Sequence, residues 1–125
     1  MVNSDWQVLV VEDEIDSRDV VQDLLRYYGI ACQTTGTAED ALSLLQTSVP
    51  DVVVIDLSLP AMDGWGLLRA IRGDHRLAAV PCVAMTAYHS VEVARKAIQA
   101  GFAGYFAKPI DTGTFVQDLS QLLPN

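Results

Sequence analysis

The sequence is 125 residues long and half hydrophobic, with 16 acids against 8 Lys plus Arg and a formal net charge of −8. That length and apolar content suit one domain with its own core, residues 1–125. The acidity excludes a general nucleic-acid or anionic-membrane surface, because phosphate-bearing partners need an excess of Lys and Arg.

No stretch approaches the roughly 20 apolar residues of a membrane span. The start, MVNSDWQ, lacks a basic region followed by an apolar run, so no signal peptide is expected and the compartment is read as cytoplasmic. Cys32 and Cys82 lie far apart in strand-like segments and read as buried free thiols rather than a disulfide. With no CxxC pair and with His75 and His89 standing alone, a zinc site is not expected.

In chain order, Gln7 to Val11 is a short apolar run, read as a strand. A helical pattern follows, with Val20, Val21, Leu24, Leu25 and Tyr28 on one side and a stop at Gly29. Ile30 to Thr34 is a weaker strand. Thr37 to Asp40 reads as a capping box opening a helix whose Ala38, Ala41, Leu42 and Leu45 share a face. Val52, Val53, Val54 and Ile55 are four β-branched residues in a row, which predicts a strand buried on both faces. Asp63-Gly64 reads as a turn, and the third helix carries Leu67, Leu68 and Ile71. Pro81 opens a strand over Cys82 to Met85, where its missing N–H does least harm. The fourth helix carries Val91, Ala94 and Ile98 and ends near Gly101. Gly104 to Ala107 is the fifth strand. The last helix starts near Asp111 and buries Phe115, Leu119 and Leu122.

Five apolar strands alternating with five helices predict an α/β fold: a doubly wound parallel sheet with right-handed crossovers, covered on both faces. Ligands of such sheets bind outside the carboxyl ends of the strands. The residues there are Glu12, Asp13 and Glu14 after the first strand, Asp56 after the third, Thr86 after the fourth and Lys108 after the fifth. Converging carboxylates repel one another, by about 4 kcal/mol per pair at 4 Å and an effective dielectric near 20. One lysine does not offset that. A divalent cation would, and an all-oxygen donor set suits Mg²⁺ or Mn²⁺ rather than Zn²⁺.

The segments VLVVEDE, VVVIDLSLPAMDGW, AMTAY and GYFAKPI, in that order and spacing, resemble the response-regulator receiver domain of two-component signalling over essentially the whole chain. The resemblance implies a flavodoxin-like (βα)5 fold with strand order 2-1-3-4-5, which sets the first and third strands side by side at the switch point. It also implies a switch that takes a phosphoryl group on Asp56 from a sensor histidine kinase or histidine phosphotransfer protein. Such a switch catalyses its own phosphorylation and dephosphorylation and is no enzyme in the ordinary sense. Position by position, Glu12 and Asp13 match the acidic pair that organises the Mg²⁺ (or Mn²⁺). Ser58 sits where a backbone carbonyl completes the metal shell. Thr86 matches the hydroxyl that moves onto the phosphoryl group, and Lys108 the lysine that pairs with it. Lys108–Pro109 matches a cis peptide, and Tyr105 the aromatic that swings inward. Ser58 and Tyr88 occupy the positions that tune the lifetime of the phosphorylated state. Glu12 departs from the commoner Asp at its position. The resemblance further implies a partner face on the fourth helix, fifth strand and fifth helix, through which a homodimer could form. Phe102 belongs either to that face or to the core, and Trp65 and Tyr105 divide equally between packing and function.

Three other readings compete. An aspartyl-phosphate phosphatase wants a second acid two residues after the nucleophile, where Ser58 stands. A flavodoxin-like flavin binder needs a hydroxyl- and glycine-rich first loop, where EDEID would repel a phosphate. A receiver-like module working by protein contacts alone is the third, and a phosphorylation assay separates it from the leading reading.

Overall fold

The computed structural model describes residues 5–123. Five strands, β1 (Gln7–Val11), β2 (Ala31–Thr35), β3 (Val52–Asp56), β4 (Cys82–Thr86) and β5 (Gly104–Ala107), alternate with five helices. These are α1 (Ile15–Tyr27), α2 (Ala38–Leu45), α3 (Gly64–Gly73), α4 (Val91–Ala100) and α5 (Phe115–Leu122). The strands are parallel and ordered β2-β1-β3-β4-β5.

Alternation along the strands builds two cores. Leu9, Val11, Val53, Ile55, Cys82 and Ala84 pack against α2, α3 and Ala97 of α4. Their neighbours Val8, Val10, Val52, Val54, Val83 and Met85 pack against α1 and α5. All five residues of β3 are buried, as a central strand with helices on both sides requires. Helix starts follow local chemistry. Thr37 Oγ1 accepts from the Asp40 N–H, and Ser90 caps α4 in the same way. Gly29 and Gly101, at φ +73° and +116°, stop α1 and α4 in a region that favours glycine.

Several details differ from the sequence reading. Asp63 is the N-cap of α3, accepting from the Gly66 N–H at 2.8 Å, so Asp63-Gly64 begins a helix instead of closing a turn. Val20 and Tyr28 are exposed, because α1 meets the sheet along the narrower stripe of Val21 and Leu25. In α4 the fully buried residue is Ala97, while Val91 and Ile98 face outward at 86% and 55% exposure. Phe102 is core, edge-on to Trp65 with ring centroids 5.8 Å apart, which removes it from the partner face. Helix α5 begins at Phe115, after a turn in which the Phe115 N–H donates to the Asp111 carbonyl. Cys32 is half-buried, Cys82 is buried, and both thiols are free. Burial pushes each thiol up to about 11.

Candidate functional site

Strand register assembles the site. Val11 of β1 pairs with Ile55 of β3, so one step further Glu12 comes abreast of Asp56. Asp56 pairs with Met85, and Thr86 with Ala107, which leaves Thr86 and Lys108 at the next two strand ends. The β3–α3 loop then folds back over the strand. The Gly64 N–H donates to the Leu57 carbonyl at 3.1 Å. A Cβ on Gly64 would lie 2.5 Å from the Asp56 carbonyl oxygen and 2.8 Å from Leu57 Cα, so only glycine fits there. Ala61, at φ +59°, sharpens the bend, and the Met62 N–H donates to Glu39 Oε2 at 3.3 Å.

Lys108 Nζ is the hub of the cluster. It lies 2.6 Å from Glu12 Oε1, 3.0 Å from Asp56 Oδ2 and 3.0 Å from Glu14 Oε1. The other Asp56 oxygen, Oδ1, accepts from the Ser58 N–H at 3.0 Å. Glu12 is fully buried and Asp56 is 2% exposed. Burial and the facing Asp56 carboxylate push Glu12 up to about 7, against the partial relief that Lys108 provides. Burial alone would lower the Lys108 pKa, but its three carboxylate partners outweigh that and raise it, so the ammonium stays charged.

One ammonium among the carboxylates of Glu12, Asp13, Glu14 and Asp56 leaves an excess of negative charge. Glu12, Asp13 and Asp56 each offer a carboxylate oxygen within 4.8 Å of the others'. These hard oxygen donors, with Asp13 exposed so that waters can join, fit a divalent cation of the Mg²⁺ type.

Thr86 is buried beside this cluster, and its Oγ1 accepts from the Tyr88 N–H at 3.0 Å. Leu57, Ser58, Asp63, Trp65, Thr86, Tyr88 and Val93 line an adjoining cleft of about 330 Å³. Tyr88 is 76% exposed, so its ring covers the cleft only partly. Tyr105 is half-buried against the α2–α4 side of the core. The Lys108–Pro109 peptide bond is cis. The sequence placed Glu14 among the strand-end acids without naming its partner, offered Gly64 only as part of a turn, and gave no role to Glu39. Glu14 stands in the acidic run that drew attention to its neighbours, whereas its contact with Lys108 spans 94 positions.

A family profile, the response regulator receiver domain, matches residues 8–120. The chain belongs to this family. Chemotaxis protein CheY-3 of Vibrio cholerae is 34% identical over 125 residues, covering 98% of this chain and 95% of that protein. The transcriptional regulatory protein ZraR of Salmonella typhimurium is 32% identical over 98% of this chain, which spans 27% of the length of ZraR. The solved structure of chemotaxis response regulator CheY4 of Vibrio cholerae superposes with a TM-score of 0.89 at 27% identity, covering 95% of this chain and 99% of that one. This chain is therefore a receiver domain with a phosphoacceptor signalling function, homologous to stand-alone chemotaxis regulators and to the receivers of longer transcriptional regulators. Receiver domains are phosphorylated by histidine kinases. Among the described residues no helix is long and apolar enough to cross a membrane.

Proposed function

We propose that Asp56 is the phosphoacceptor, taking its phosphoryl group from a phosphohistidine of a sensor kinase or phosphotransfer protein. The observation that carries this reading is the Asp56 carboxylate at the end of a fully buried strand, one oxygen held by the Ser58 N–H and the other by Lys108. A carboxylate oxygen attacks phosphorus, the P–N bond breaks, and the electron pair stays on the imidazole nitrogen, which takes up a proton. Catalysis is then positioning together with stabilisation of the charge on the transferring group.

Glu12, Asp13, Asp56 and the Ser58 backbone carbonyl would hold Mg²⁺ or Mn²⁺, which neutralises charge on the phosphoryl oxygens. Lys108 donates to a phosphoryl oxygen, and Thr86 leaves the Tyr88 amide to do the same. Tyr105 turns into the space Thr86 vacates, and the altered surface is α4, β5 and α5, where a downstream partner or a second copy docks. Ser58 and Tyr88, on the walls of the adjoining cleft, govern access of the water that later hydrolyses the acyl phosphate. The domain so performs its own phosphorylation and dephosphorylation, as a single receiver over residues 1–125, working in the cytoplasm.

The test is intact-mass measurement after incubation with a small phosphodonor and Mg²⁺. The wild-type chain gains one phosphoryl group, and Asp56→Asn gains none. Asp13→Ala, which loses an exposed ligand while the buried carboxylates stay, weakens Mg²⁺ binding and slows labelling. Equal labelling of Asp56→Asn would sink the assignment.

A further inference from the structure

We propose that Glu14 is a positioning residue that occupies the third N–H of Lys108, and that it is the partner Lys108 gives up when a phosphoryl oxygen arrives. The inference rests on Asp56 being the acceptor, and it assigns Glu14 the part of setting the site's affinity for the incoming anion.

A lysine ammonium has three N–H donors. In this structure all three are committed, to Glu12, Glu14 and Asp56. A phosphoryl oxygen can bind Lys108 only if one of these acceptors withdraws. Glu12 is fully buried, so water cannot take the place of the ammonium at its carboxylate. Asp56 carries the phosphoryl group itself. The side chain of Glu14 is 64% exposed, so water replaces the ammonium at little cost.

The start of α1 does not account for this placement of Glu14. Glu14 is the N-cap residue of α1, yet its side chain makes no capping hydrogen bond. It reaches Lys108 instead, 94 positions along the chain. Its carboxylate therefore does two things at the mouth of the site. It blocks one donor of Lys108, and it adds a negative charge that an incoming phosphoryl anion must overcome.

The test is titration of beryllofluoride, an anionic phosphoryl mimic, at saturating Mg²⁺, and of Mg²⁺ alone, for wild type, Glu14→Gln and Glu14→Ala. Glu14→Ala binds beryllofluoride more tightly by about 1.4- to fivefold, the range an exposed ion pair spans, with the gain shrinking in high salt. Glu14→Gln gains less, because its amide oxygen still accepts from Lys108. Mg²⁺ affinity stays within about twofold of wild type in both, the small change expected from one exposed charge. Unchanged or weaker beryllofluoride binding by Glu14→Ala would overturn the proposal. Equal gains in the two variants would do so as well, by reducing Glu14 to a charge acting through space. A matching fall in Mg²⁺ affinity would make Glu14 a metal ligand instead. No beryllofluoride binding by the wild-type chain would overturn the acceptor reading itself, and the proposal with it.

Discussion

Lys108 is held as tightly by its neighbours' burial as by its own charge. Its partners Glu12 and Asp56 have side chains 0% and 3% exposed, so the ammonium is what makes two buried carboxylates tolerable in the free protein. The elevated Glu12 pKa is the residue-scale mark of that compromise. A carboxyl whose folded pKa, about 7, exceeds its ordinary value of 4.5 adds stability that is fully present below the lower value and lost as pH rises through the upper one. Between pH 8 and pH 6 the thermal midpoint in chelator therefore rises. Over the same interval Mg²⁺ affinity falls, because proton and metal compete for Glu12. Calorimetry at both pH values, with and without Mg²⁺, checks both signs, and a midpoint that falls on acidification without metal would contradict this account of Glu12. Gly64 acts at the same scale through shape. Adding a single methyl in Gly64→Ala drives Cβ into the Asp56 carbonyl and costs about 1–3 kcal/mol, the usual range for overpacking. Urea unfolding reads the loss, and phosphorylation slows further than the unfolded fraction explains, because the strain falls on the acceptor's own backbone.

Among the helices, α4 is the one least anchored. Ala97 is its fully buried residue, while three residues of α2 and four of α3 and α5 are buried. Helices with little buried apolar contact open locally at low free energy. Amide exchange in α4 is thus faster than in α3 or α5. In the proposed switch, phosphorylation works through this loose element with limited means. A charge-assisted hydrogen bond contributes roughly 1.5–3 kcal/mol and a neutral one about 1. Turning a 1:99 population into 99:1 takes about 5.5 kcal/mol. Lys108 moreover exchanges an existing partner instead of adding one, so its net gain sits below that range. Phosphate alone therefore shifts α4 incompletely, and a partner on the exposed Val91 and Ile98 completes the change. Backbone NMR with beryllofluoride tests this: shifts extend from the Asp56 pocket through residues 91–105, with two states in exchange. Shifts confined to the pocket would show that this face does not carry the signal.

At the scale of the whole molecule, what could be read from the chain was set by how local its cause is. The β3 run of Val52, Val53, Val54 and Ile55 announced a central strand because β-branched residues without polar alternation have no solvent-facing side. The site residues were legible as strand ends, since a parallel sheet gathers those ends on one edge. Helix faces were less legible. Val91 and Ile98 share a 3.6-residue stripe, but periodicity cannot say whether a stripe meets the sheet or the solvent, and the small Ala97 took the buried place. Contacts made by folding alone, such as Glu14 to Lys108 or Met62 to Glu39, left no local trace. These long-range ties turn a familiar set of strand ends into one electrostatic unit around Asp56.

Borohydride reduction of the phosphorylated chain, followed by peptide mapping, identifies the acceptor residue directly. An aspartyl phosphate is an acyl phosphate, and borohydride converts its side chain to that of homoserine, leaving a permanent mass change at the acceptor. That change is expected at position 56 alone, dependent on Mg²⁺ and absent without a phosphodonor. Its appearance at Asp13 or elsewhere, with position 56 unmodified, would contradict the assignment of Asp56 as acceptor.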